Sequence, residues 1–221
     1  MCYDIQTSIV SFTIVTVCGV TALGLKQPVL GCLMLTYGLM QLSEVLIWRG
    51  VDTKNETVNR AGTTLGKYTL PSHNIAIGIG ILIAYWSYRG SVKYWIPLFI
   101  GVIFYIGVMI NYSVQKDLNG GITKACKLPE DKDQCTPNSA RLEWPYPHGW
   151  YALSMTISTI LVLLYVRPLP KAVVMVLFYA VTFVGAALLG KRQVLGSYWC
   201  WAAAALAPLV LLATVMISRG Q

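Results

Sequence analysis

Charge is what this sequence has least of. Asp, Glu, Lys and Arg together make 12% of its residues, about half the share of a typical soluble domain. Such a chain cannot cover a globular surface in water. Signature motifs are missing as well: no Gly-rich phosphate loop ending in Lys, no HExxH, no GxSxG and no CxxC. Their absence removes the standard signals for nucleotide, zinc-protease, serine-hydrolase and dithiol chemistry. All ten lysines sit between or at the ends of apolar runs, which argues against a retinal Schiff base buried in a bundle. Two histidines are too few for a di-haem carrier. The basic residues fall singly or in pairs, with no stripe of interleaved aromatics, so nucleic acid is not expected as a partner. MCYDIQTS ahead of the first apolar run carries neither a basic start nor a small-residue cleavage site, and no cleaved signal peptide is expected.

Hydrophobic residues are abundant, at 56% of 221. They gather in runs of about 17 to 23 residues, the length that spans roughly 30 Å of hydrocarbon as helix. The fold class this predicts is all-α: a single polytopic domain, 1–221, of seven transmembrane helices over about 7–25, 28–48, 72–88, 94–114, 150–166, 171–189 and 195–217. Gln27-Pro28, Tyr88-Arg89-Gly90, Arg167-Pro168-Leu169-Pro170 and Gly190-Lys191-Arg192 read as short connections between antiparallel neighbours. The stretches 49–71 and 115–149 read as long polar loops in water.

Orientation carries a conflict. Asp4 before the first span and Lys26 after it favour an amino terminus on the extracellular or lumenal side. The loops then placed outside hold eleven of the seventeen basic residues, which argues the reverse. Asn55-Glu56-Thr57 is a glycosylation sequon in one such loop, and Cys126 and Cys135 in the other are spaced for a small disulfide. The outside orientation is the one expected.

Alternation of seven helices brings Cys2, Asp4, Glu44, Trp48, His73, His148, Trp150, Tyr151, Trp199 and Cys200 to one face. Glu44 is the only charged residue well inside a span, and a carboxylate in hydrocarbon asks for a partner or a purpose. Tyr37, Gln41, Glu44 and Trp48 follow steps of 4, 3 and 4, one helical stripe. Span five offers His148, Tyr151, Ser154 and Ser158; span seven offers Ser197, Cys200 and Ala204. Cys2, Glu44, His148 and Cys200 are the candidate catalytic or metal-ligating set, because thiolate, carboxylate and imidazole together can hold zinc or another transition metal. Gln41, Trp48, His73, Tyr151 and Trp199 surround that set. Plainer roles stand beside these: Glu44 near a helix end reaching interfacial water, the histidines as interface residues, the tryptophans, Trp48 among them, as an aromatic belt, and Cys18 and Cys32 as small apolar residues.

MCYDIQTSIVSF, QLSEVLIW, HGWY at 148–151 and GSYWCWAAAALAP together resemble a family of uncharacterised integral membrane proteins of bacteria and large DNA viruses. Its chains begin Met-Cys, carry Gln-x-x-Glu-x-x-x-Trp in the second span and end in a Trp-Cys helix. The resemblance implies that Cys2, Gln41, Glu44, Trp48, His148, Trp199 and Cys200 are the marked positions, and it implies a fold and a site without a reaction. Three functions remain open: a membrane-embedded, metal-dependent enzyme acting on a lipid-like substrate; a proton, cation or small-solute transporter or channel; and a structural or receptor-like assembly protein. Membrane lipids are the expected partners in each.

Overall fold

A computed structural model of the protein describes residues 4–88, 90–114, 124–126, 141–143, 148–189 and 195–220, with side chains outside the description at 124–126, 141–143, 148–152, 155, 186–187, 189 and 195–201. The described residues form seven α-helices: α1 Ile5–Gly24, α2 Pro28–Asp52, α3 Glu56–Ala84, α4 Ile96–Val114, α5 His148–Tyr165, α6 Leu169–Leu189 and α7 Leu195–Arg219. Between α4 and α5 two three-residue strands, β1 Lys124–Cys126 and β2 Arg141–Glu143, pair antiparallel. The architecture is helical, as expected. Among the described residues four helices are long and apolar enough to cross a membrane: α1, α2, α4 and the Ala202–Arg219 part of α7. Length and composition therefore single out a membrane protein, but mark four spans rather than seven.

Local chemistry sets the helix starts. The Asp4 carboxylate accepts from the Thr7 N–H at 2.7 Å and opens α1. Pro28 begins α2, where its missing N–H costs nothing. The Asn55 side chain accepts from the Val58 N–H at 3.2 Å, and Glu56 follows in the first turn of α3.

That last cap corrects the expected loop at 49–71. The stretch is helical except at 53–55, and α3 begins sixteen residues ahead of residue 72, where the third span was expected to start. Its polar residues had suggested a connection, and Pro71 had suggested a helix start. Pro71 instead lies inside α3, a position tolerated where neighbouring helices support the freed backbone. Of the expected loop at 115–149 only the paired strands and the start of α5 are described. Cys135 lies outside the described residues, as does the side chain of Cys126, so the expected disulfide does too.

The helices close into a ring. α1 packs on α2 and α7, α7 on α6, α6 on α5, α5 on α3 and α3 on α2, while α4 lies outside the ring against α3. On α4, Phe99, Ile103, Ile106 and Ile110 all face outward, an apolar surface that suits lipid. α2 and α3 run antiparallel along their whole length in close contact. A Cβ on Gly62 would stand 2.8 Å from the Ile47 nitrogen and the Ser43 carbonyl oxygen, and one on Gly80 would stand 2.5 Å from the Val29 Cα. Only glycine permits that approach, as is usual where helices associate by close packing in a bilayer.

Candidate functional site

The register of α2 against α3 places Tyr37 beside His73, with ring centroids 4.8 Å apart. Gln41 and Glu44 stand one and two turns further along α2, Glu44 about 10 Å from Tyr37 at 1.5 Å per residue. All four are closed off from solvent: Tyr37 and His73 are 3% exposed, Gln41 1% and Glu44 0%. The stripe read from the sequence thus points inward, and Glu44 is a core carboxyl rather than a side chain reaching interfacial water. His73 sits in the middle of α3, not at a helix start. Its Nδ1 lies 2.7 Å from the Leu70 carbonyl oxygen; a carbonyl only accepts, so Nδ1 carries the proton there. Trp48 is 2% exposed and belongs to the core, which removes it from the expected aromatic belt.

Asn74 faces the other way, toward α5. Its amide nitrogen donates to Ser154 Oγ at 3.1 Å, and its carbonyl oxygen accepts from the Ser158 hydroxyl at 2.7 Å. The Tyr179 ring on α6 meets that of Tyr37 edge-on, 6.3 Å between centroids. Hydrogen bonds thus join α3 to α5, and ring contacts of Tyr37 join α2 to α3 and α6, so that buried polar side chains of four helices lie in one band. Nearer the α2–α3 turn, the Thr63 hydroxyl donates to Asn59 Oδ1 at 3.1 Å, also within the core.

An apolar floor underlies the band. Leu33, Ile77, Val162 and Met175 each lie four residues from Tyr37, His73, Ser158 and Tyr179 respectively, one turn toward the opposite face, and each is at most 2% exposed. The polar interior ends there, about midway along the bundle.

Of the expected catalytic set only Glu44 has a described side chain. Cys2 is outside the described residues, and His148 and Cys200 are placed on α5 and α7 by backbone alone, as are Tyr151 and Trp199. Among the described residues no three His, Cys, Asp or Glu side chains gather as a metal would require. α1, α2 and α7 are neighbours, as the expected site needed, but α5 packs chiefly on α3 and α6.

Asn74, Tyr179, Asn59 and Thr63 were missed by sequence reasoning. A signal for the α3 residues exists: 59, 63, 66, 70, 73, 77 and 81 are all buried, a run of steps of three and four that passes through Pro71 without a break. Comparison with known proteins adds no relative, because no family model, curated protein or solved structure matches the chain. The site must be read from its own geometry.

Proposed function

We propose that this is a seven-span membrane protein whose buried polar band locks its helices together, and that it serves as a binding or assembly component rather than as a catalyst or a conducting path. The observation that carries this reading is Asn74, fully buried and using both ends of its amide on two serines of α5. A group so engaged between helices is neither presented to a substrate nor lining a wet path, and hydrogen bonds of this kind hold helices together in bilayers. The floor of Leu33, Ile77, Val162 and Met175 argues further against a channel.

The seven spans are supported by packing. α3 accompanies α2 from Asn59 beside Gly50 to Gly80 beside Val29, so where α2 crosses, α3 crosses with it. α6 accompanies α7, and α5 fills the ring between α3 and α6. The start of α1 and the α2–α3 turn would face the extracellular or lumenal side. The family resemblance belongs to this proposal, since Gln41, Glu44 and Trp48 would be its marked positions in the core.

A second reading is membrane-embedded catalysis, favoured by the contact of the His73 imidazole with the Tyr37 ring, two turns from Glu44 on the same band. Glu44→Gln and Glu44→Leu separate the two. On the locking reading the amide keeps the hydrogen-bonding capacity of the carboxyl, so Glu44→Gln unfolds within about 1 °C of the parent in neutral detergent. Glu44→Leu loses about 1 kcal/mol or more, equivalent to about 2–4 °C for a chain of this size. A Glu44→Leu protein as stable as the parent, or stoichiometric zinc in the purified protein, sinks the locking reading.

A further inference from the structure

The face opposite Glu44 holds a different arrangement. Three connections meet there: 25–27 between α1 and α2, 85–95 between α3 and α4, and 166–168 between α5 and α6. They enclose a cleft of about 80 Å³ bordered by Lys26, Arg167 and Lys171. A second cleft of about 300 Å³ shares Tyr85, Tyr165 and Arg167 with the first and adds Lys93. Four cationic side chains thus border two clefts with common walls, together the hollow of this face. Among the described residues no acidic side chain lies on this face: Asp4, Glu44, Asp52 and Glu56 belong to the opposite half.

The walls of the hollow are braced. Lys171 Nζ donates to Gln27 Oε1 at 3.1 Å, and Gln27 Nε2 donates to Ser218 Oγ at 2.9 Å, tying α6, the α1–α2 turn and α7 together. Arg167 Nη1 donates to the carbonyls of Leu163 and Val166 at 3.0 and 3.1 Å. Those bonds hold the guanidinium at the end of α5 and leave its Nε and Nη2 donors for a ligand. The Tyr85 hydroxyl donates to the Tyr165 carbonyl at 2.9 Å while its ring stacks on Tyr94 at 4.6 Å, and Lys93 lies over Tyr94 at 4.8 Å. The floor of the first cleft is apolar, with Leu30 and Met175.

Four like charges around one hollow repel each other, and an anion relieves that repulsion. Arginine's planar fork beside lysine ammonium groups suits phosphate oxygens. We propose that this hollow binds the phosphate group of an anionic lipid headgroup at the membrane surface, an inference that rests on the helices crossing the bilayer as proposed above. Headgroup and free phosphate share the recognised chemistry; the apolar floor and the tyrosines favour the lipid, whose glycerol and upper chains need such contacts.

Thermal unfolding in neutral detergent, titrated separately with dioctanoyl phosphatidylglycerol, dioctanoyl phosphatidylcholine and inorganic phosphate, tests the site. The expected result is a saturable upward shift with phosphatidylglycerol alone. Arg167→Gln with Lys171→Gln weakens it at least tenfold, while Arg219→Gln, on the same face but outside the hollow, leaves it unchanged. If loss of the Lys171 contact prevents folding, Lys26→Gln with Lys93→Gln replaces that pair and is expected to weaken binding likewise. Equal shifts with the two lipids, or undiminished binding by the folded double variants, overturn the proposal, and an equal response to inorganic phosphate overturns the lipid assignment. Single-cysteine labelling at Thr53 and Ser87 in a background lacking the native cysteines reads the membrane crossing separately. Labelling from opposite sides with no lipid preference refutes the site alone, whereas labelling from one side refutes the crossing on which it rests.

Discussion

Asn74 shows how a single residue can join two helices while its neighbour in sequence meets a third. It follows His73 directly, so the two point about 100° apart around α3, His73 toward Tyr37 on α2 and Asn74 toward Ser154 and Ser158 on α5. Residues outside the core carry their own constraints. Lys54, after the end of α2, has a φ of 53°, a left-handed conformation that costs a side chain with a Cβ about 1 kcal/mol. Glycine adopts it freely, and Lys54→Gly is expected to stabilise the fold by about 0.5 kcal/mol at most after its greater freedom in the unfolded chain is counted. The check is the midpoint of thermal unfolding. A lowered midpoint would mean that the Lys54 side chain makes a contact worth more than the backbone relief. The inward stripe of Tyr37, Gln41 and Glu44 was legible from spacing, because a lone acid in an apolar helix has one tolerable direction. Asn74 was not, because a polar residue beside Pro71 reads equally well as the edge of a helix.

At the scale of helices, α3 separates what sequence shows from what it conceals. The apolar runs placed all seven helices in order, and Pro28 and the Asn55-Glu56 pair act as the start signals their chemistry suggests. The first half of α3 was hidden because hydropathy averages over all faces of a helix. Arg60 and Thr64 face outward while Asn59, Gly62, Thr63 and Gly66 face α2 and the core, and their mean looks like a loop. Close contact of α2 and α3 is the physical basis of that pairing, so it should fail where the gap is closed. Gly62→Leu places a side chain against the Ile47 and Ser43 backbone and is expected to abolish the folded, monodisperse peak in detergent size-exclusion chromatography. Gly107→Leu, on α4 with nothing within 4 Å of its Cβ, is expected to leave that peak intact. Equal tolerance of both would show that α2 and α3 are not held at this distance.

The molecule as a whole divides along its axis. One half of the ring interior is polar, from Asn59 and Glu44 down to Tyr37, Asn74 and Tyr179; below the floor of Leu33, Ile77, Val162 and Met175 it is mainly apolar, with Thr214 buried beside the cationic hollow. Every acidic residue belongs to the polar half or to the connection between α4 and α5. That asymmetry was partly legible, since alternation of helices sorts the charges by face. The meeting of four helices in one polar band depends on which helices are neighbours, and nothing in the spacing of residues within a helix specifies its neighbours. The central claim is that this band closes the ring by bonding α3 to α5, and a double-mutant cycle tests it most directly. Asn74→Ala, Ser158→Ala and the double variant, unfolded reversibly in mixed micelles, are predicted to show a coupling energy of about 0.6–1.7 kcal/mol between the two positions. A coupling indistinguishable from zero, with Asn74→Ala as stable as the parent, would contradict it.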